Sequence, residues 1–299
     1  MKIDTLVLSG GSTKVPAYVG AFRALKEHNI INDNFEGINH IIVCSVGMLY
    51  ALFMLLGVNE QVIETLMKSM CFSEFLDLDN ININDLIFKL GLFDNKKITT
   101  MITTILRERH SKEDMTLKEL YELTNIKLSV KVCNNTKSCV EYISYENEPG
   151  ISIKLLLQMT TAIPLFFKPI TYKDCLYADG GYAGGFATEI AGNNYIGIKL
   201  KGGWKSDTKK TSLLDEIPII KYIISGLCMA CRDSSENDIK NIIIPSNVHF
   251  TNFKLTLEEK QKLIDDGYNL TKQHILHYNL TNDNLSSKPD EGIIHTGED

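Results

Sequence analysis

Ser45 is a lone hydroxyl at the pivot between an apolar, strand-like run, His40-Ile41-Ile42-Val43-Cys44, and an apolar, helix-like run, Val46-Gly47-Met48-Leu49-Tyr50. A strand that bends sharply into a helix lifts the side chain at the bend out of the sheet. It also sets that side chain beside the first free N–H groups of the helix, where an anion is stabilised. A serine nucleophile is placed this way. The strong form of such an elbow is Gly-x-Ser-x-Gly; here Gly47 supplies the second glycine and Val43 replaces the first. The same residues equally describe a serine that caps a core helix, so the half-motif alone leaves both readings open. Two further stretches bear on the choice. Leu6-Val7-Leu8 runs as a buried strand into Ser9-Gly10-Gly11-Ser12, and Cys175-Leu176-Tyr177-Ala178 runs as another into Asp179-Gly180-Gly181. A serine needs a base for its proton and N–H donors for a tetrahedral oxyanion, and glycines let backbone donors approach a substrate closely. A carboxylate can be that base directly. A glycine loop, Ser45 and Asp179 at three strand ends are together suited to acyl transfer.

The elements that must hold these residues follow from periodicity. Pro16 stands near the start of a helix with apolar positions Val19, Phe22, Ala24 and Leu25, and the stretch around Ser45 repeats the strand-turn-helix unit. Two such units imply parallel strands joined by right-handed crossovers, with a ligand site at the carboxyl edge of the sheet. Helical patterns over 61–90, 95–109 and 116–123 form a flank, and strands over 127–133 and 139–145 are joined by a polar turn as a hairpin. A helix over 151–158, strands over 195–200 and 241–244, and a charged amphipathic helix over 255–278 complete the fold. We therefore expect one α/β domain over 1–280, three layers with a mostly parallel central sheet. The tail 281–299, rich in Asn, Ser, Gly and acidic residues, has nothing to bury and is expected to be disordered.

Composition narrows the function. Of the 299 residues 44% are hydrophobic and 23% charged, enough for a substantial core. A net charge of -6 argues against nucleic acid as a partner, since phosphate binding draws on a basic surface. Seven scattered cysteines and an N-terminus without a signal-peptide pattern fit a reducing, intracellular compartment, the cytoplasm or that of a host. Cys228-Met229-Ala230-Cys231 lacks a second pair of ligands and reads as core rather than a metal site. The uncharged stretch 37–59 reads as a buried strand and helix, not as a membrane span, because Asn39, His40, Cys44 and Ser45 fill its first half. The apolar stretch 217–231, broken by Lys221, reads as a core helix or one lying on a membrane surface.

At this point the chain resembles the patatin-like phospholipase family. Leu8-Ser9-Gly10-Gly11-Ser12-Thr13-Lys14 with Gly20-Ala21-Phe22 is similar to the family's glycine loop and first helix. Gly91-Leu92-Phe93-Asp94, Thr116 to Tyr121, Thr161-Ala162-Ile163-Pro164 with Phe167-Lys168-Pro169, and Tyr177-Ala178-Asp179-Gly180-Gly181 resemble its later segments. The resemblance extends to about residue 280. It implies that Ser45 is the nucleophile and Asp179 the base of a Ser-Asp dyad. The oxyanion hole is then formed by N–H groups of Gly10, Gly11 and Ser12, with Lys14, Gly47, Gly180 and Gly181 in support. It implies phospholipase A-type cleavage of fatty-acyl esters through an acyl-enzyme. Neither a cofactor nor a metal is called for, calcium included. The expected partners are a phospholipid or other lipid ester and, transiently, a membrane surface.

The departures from the family pattern cluster at the site. Ser12 stands for the third glycine, Val15 for the glycine after the basic residue, Val43 for the first elbow glycine, and Gly184-Gly185-Phe186-Ala187 for an asparagine and proline. Val15 would be strained if its φ were positive, and Val43 adds bulk where helix meets strand. Lys14 is read as drawing a lipid phosphate or as simply solvated. Two competing readings follow: a relative that keeps the fold but binds lipid or protein without turnover, and a Ser-Asp-His triad completed by His249, His274 or His277.

Overall fold

The computed structural model describes residues 3–76, 81–202, 238–249 and 252–280. Ten strands are present among them: β1 (Thr5–Leu8), β2 (His40–Cys44), β3 (Gly91–Phe93), β4 (Lys127–Asn134), β5 (Cys139–Ile143), β6 (Leu165–Phe167), β7 (Ile170–Tyr172), β8 (Cys175–Asp179), β9 (Tyr195–Gly202) and β10 (Asn241–Ser246). The helices are α1 (Ala17–Glu27), α2 (Val46–Leu55), α3 (Glu60–Ser69), α4 (Ile83–Phe88), α5 (Thr100–His110), α6 (Leu117–Thr124), α7 (Ile153–Thr160) and α8 (Leu257–His277). Eight strands make one sheet in the order β10-β9-β1-β2-β4-β8-β7, with β5 also on β4, and β3 pairs with β6 separately. β1, β2, β4, β9 and β10 run parallel, whereas β5 and β8 are antiparallel to β4. This is the expected α/β architecture, a mostly parallel sheet flanked by helices.

Alternation along the strands sorts the two faces. Leu6, Leu8, Ile41, Val43, Leu128 and Val130 join the apolar faces of the helices in one large core. Val7 and Ile42 point the other way and meet Phe186, Ala187, Ala191 and Tyr195 in a smaller one. The stretch 37–59 is β2 and α2, as read from sequence, and no described helix is long and apolar enough to cross a membrane.

Two expectations are corrected. The helical pattern over 61–90 resolves into α3, a 3-10 turn at Phe72–Phe75 and the short α4. α3 stops because the buried Lys260 ammonium of α8 binds the carbonyls of Lys68 at 2.9 Å and Met70 at 2.5 Å, which holds the chain in an open turn. The short strands β3, β6 and β7 were not expected at all; three residues are too few for a periodicity to show. The stretch 217–231, Cys228 and Cys231 included, and the tail 281–299 lie outside the described residues.

Candidate functional site

β4 is the element that builds the site. Its eight residues outrun β2, and β5 occupies one of its edges from Val130 to Asn134. The other edge is shared: β2 pairs with it up to Cys44 opposite Lys131, and β8 pairs with it from Asp179 opposite Val132 upward. The two strands therefore meet head-on along one edge of β4, β2 ascending and β8 descending. Sequence reasoning placed Asp179 at a strand end; the antiparallel descent of β8 is what turns that end toward Ser45.

At the meeting point Ser45 Oγ donates a hydrogen bond to Asp179 Oδ2 at 2.6 Å. Both residues are buried. Ser45 bends the chain at φ 53 and ψ -130, a left-handed conformation that residues with a Cβ adopt at a cost of about 1–3 kcal/mol. Its own N–H donates to Thr160 Oγ1 at 2.8 Å, and Thr160 in turn donates to the Lys131 carbonyl at 2.8 Å. Thr160 thus ties the end of β2 to β4 at Lys131, next to the point where β8 takes over that edge. Gly47 lets α2 settle on β1, since a Cβ there would lie 2.7 Å from the Leu8 carbonyl oxygen.

Asp179 is held by three donors. Besides Ser45, the Gly181 N–H reaches Oδ1 at 2.7 Å and the Cys44 thiol approaches it at 3.8 Å. Burial nonetheless dominates and pushes its pKa up to about 6; the Ser45 hydroxyl and the Gly181 N–H hold it from rising further. A carboxylate so placed is a base near neutrality. Gly180 passes beside the Lys131 carbonyl, where a Cβ would lie 2.4 Å from the oxygen.

The glycine loop follows β1 alongside the serine. Gly10 donates its N–H to the Gly185 carbonyl at 2.9 Å, so it is engaged with the chain itself. Gly11 lies against Leu200 of β9, and its N–H makes no hydrogen bond among the described residues. Val15 sits at φ -48 in the right-handed region and is buried without the strain a positive φ would bring; in this loop the positive φ falls on Ser12, at 51°. Lys14 is neither solvated nor at the surface: it is 3% exposed, with Nζ beside Gly202. Val43 is buried in the large core. The segment replacing the usual asparagine and proline is also used, since Gly185 anchors the loop and Phe186 fills the space above Gly197 in the smaller core.

Ser45 opens into a cleft whose walls include Val46, Leu49, Phe72, Ile163, Phe167 and Phe253. Among the described residues no charged side chain lines it. Asp179 takes the serine proton position directly, with no imidazole between, and His274 is occupied at the Ile239 carbonyl at 2.7 Å. That geometry favours a direct serine–carboxylate pair over a triad through His274. Thr160 went unassigned in the sequence, although a Thr160-Thr161 pair interrupting an apolar helix was its visible trace.

Fold and site together define an α/β protein with a serine–carboxylate pair at the carboxyl edge of a mostly parallel sheet. The chain belongs to the patatin-like phospholipase family, whose model matches residues 6–191. It is 30% identical over 190 residues to a probable lipid hydrolase of Invertebrate iridescent virus 6, a match covering 62% of each chain. It is 24% identical over 291 residues to an uncharacterised protein of Acanthamoeba polyphaga mimivirus, covering 92% of this chain and 94% of that one. Among solved structures, VipD from Legionella pneumophila superposes with a TM-score of 0.63 at 19% identity, covering 93% of this chain and 67% of that one. The type III effector ExoU gives 0.53 at 12%, covering 94% and 54%. These two likenesses speak to the fold.

Proposed function

We propose that the protein is a serine lipid acyl hydrolase of phospholipase A type working through a Ser45–Asp179 dyad. The observation that carries this reading is the 2.6 Å hydrogen bond from Ser45 Oγ to Asp179 Oδ2 beside a cleft that the described residues line with mostly apolar side chains. The family match and the relative described as a probable lipid hydrolase support it. Asp179 removes the Ser45 proton as Oγ attacks the ester carbonyl. The N–H groups of Gly11, Ser12 and Val46, the first residue of α2, face the developing oxyanion. The carboxylic acid then protonates the departing alcohol, leaving the fatty acid esterified to Ser45. A water molecule gives its proton to Asp179 and its hydroxide to the acyl carbonyl, and the acid returns the proton to Oγ as the fatty acid leaves. Gly10 contributes by anchoring the loop, not by donating. A transient membrane contact belongs to this reading. Ile87, Phe88 and Leu90 stand exposed on and after α4, and Lys168, next to the cleft residue Phe167, ties α4 down through Asp85 at 2.6 Å.

The test is fatty-acid release from phospholipid vesicles and from a short-chain nitrophenyl ester, by the wild type, Ser45→Ala and Asp179→Asn. We expect turnover to vanish in both variants with folding retained, and wild-type kcat/KM to rise with pH through about 6 as Asp179 ionises. Turnover that survives Ser45→Ala would reject the nucleophile. Absence of wild-type turnover on either substrate would favour the reading in which the fold binds lipid without cleaving it.

A further inference from the structure

The ladder between β1 and β9 ends with a side chain in the place of a carbonyl. The Ser9 N–H donates to the Ile198 carbonyl at 3.1 Å, so the next rung of a parallel pair would carry the Leu200 N–H to the Ser9 carbonyl. It goes instead to Ser9 Oγ at 2.8 Å. The displaced Ser9 carbonyl turns to α1 and accepts from the Tyr18 hydroxyl at 2.6 Å. Ser9 Oγ, accepting from Leu200, sends its own proton to the Gly10 carbonyl at 2.7 Å. The two carbonyls that open the glycine loop are therefore both tied, the first by Tyr18 and the second by Ser9. Both side chains are buried. Burial also holds the Tyr18 hydroxyl well above the ordinary phenol range, so it stays a donor.

Resting on the hydrolase reading above, we propose that Ser9 is a positioning residue of the reaction: by holding the Gly10 carbonyl toward β9 it aims the N–H of the same peptide, that of Gly11, at the oxyanion. A trans peptide carries its C=O and N–H on opposite sides, and no described peptide is cis. β1 lies between β9 and β2 in the sheet. Ser9 Oγ, bonded to Leu200, lies on the β9 side, and the Gly10 carbonyl it holds is drawn the same way. The Gly11 N–H is thereby turned to the other side, where β2 leads into Ser45 and where a Cβ on Gly10 would lie 3.2 Å from the Ser45 Cβ. That N–H makes no hydrogen bond among the described residues. A lock is needed here because the peptide has glycine on both sides, and two glycines let a peptide rotate at little steric cost. Rotated, it would set a carbonyl oxygen against the developing negative charge. The preceding peptide is fixed at both ends, its carbonyl by Tyr18 and its N–H by the Gly185 carbonyl, so the rotation would turn on a held hinge.

The experiment compares the full chain with its Ser9→Ala variant on a short-chain nitrophenyl ester, and measures inhibition of each by an alkyl trifluoromethyl ketone and by the corresponding carbinol. Ser45 Oγ adds to the ketone carbon, its proton passes to Asp179 and the carbonyl electron pair becomes an oxyanion; the carbinol offers no carbonyl and probes the cleft alone. We expect kcat to fall by about ten- to a hundredfold with KM within about twofold, somewhat less than the loss from deleting a donor outright. The inhibition constant of the ketone should rise by about the same factor as kcat falls, and that of the carbinol should not move. Ser9→Cys fills the same space with a much weaker donor; it should show the same split and carries the test alone if Ser9→Ala fails to fold. A folded variant with wild-type kcat, or one that loses ketone and carbinol equally, would overturn the proposal, while loss of turnover in Ser45→Ala left the hydrolase standing. Wild-type protein that neither cleaves the ester nor prefers the ketone to the carbinol would overturn both readings together.

Discussion

At Ser45 the backbone and the chemistry make opposite demands. The positive φ at the bend is one that glycine adopts freely and a residue with a Cβ does not. Ser45→Gly and Ser45→Ala both delete the hydroxyl, but only alanine keeps the strain. We expect the glycine variant to be the more stable of the two by about 1 kcal/mol in urea denaturation, although glycine ordinarily loses about 0.4–1 kcal/mol to alanine through the unfolded chain. Asp179 is strained electrostatically. Its pKa is about 6 in the folded chain against 3.8 in the unfolded one, so the native state binds the proton more tightly. Its contribution is neutral below about pH 4, where both forms are protonated. Between about 4 and 6 stability falls as pH rises, to a loss of about 3 kcal/mol that persists above 6. Stability and turnover should thus run in opposite directions through this window, and Asp179→Asn should flatten the stability profile there. Both residues were legible in the sequence, because a hydroxyl or carboxylate at the end of an apolar strand breaks a local pattern. The role of Thr160 was not, because its partners lie far along the chain; the sequence shows at most a polar pair at a helix end, not what it binds.

The elements divide the same way. The strands that lead into Ser45 and Asp179, and the hairpin of β4 and β5, showed in apolar runs and turn composition. The head-on meeting of β2 and β8 did not, since it depends on β4 being three residues longer than β2 needs, a matter of pairing rather than of pattern. The break between α3 and α4 was hidden for a related reason: it is imposed by Lys260, almost two hundred residues on. α4 itself leaves Phe88 80% exposed, with Ile87 and Leu90 beside it. Replacing Phe88 and Leu90 by serine should weaken sedimentation with anionic vesicles several-fold and leave hydrolysis of a soluble short-chain ester unchanged. Equal loss on both substrates would mean that these side chains support the cleft instead.

Across the whole molecule, the last described helix is bound to the first. α1 and α8 cross so closely that a Cβ on Gly20 would lie 1.9 Å from the Ile264 carbonyl oxygen, and one on Gly267 2.1 Å from that of Ala17. Neither backbone can retreat without moving its helix. Gly267→Val should therefore destabilise the fold by about 3 kcal/mol or more, read as a lowered denaturation midpoint, without touching a cleft residue. The family match ends at residue 191, yet β9, the second neighbour of β1, spans Tyr195–Gly202, and Phe253 completes the cleft wall by stacking on Phe166 at 5.6 Å. The order of translation then acts as a safeguard. A polypeptide leaving the ribosome carries Ser45 and Asp179 well before it owns the strand and the aromatic wall that would hold an acyl chain against them, so the growing chain has no complete lipid site until Phe253 has followed them out.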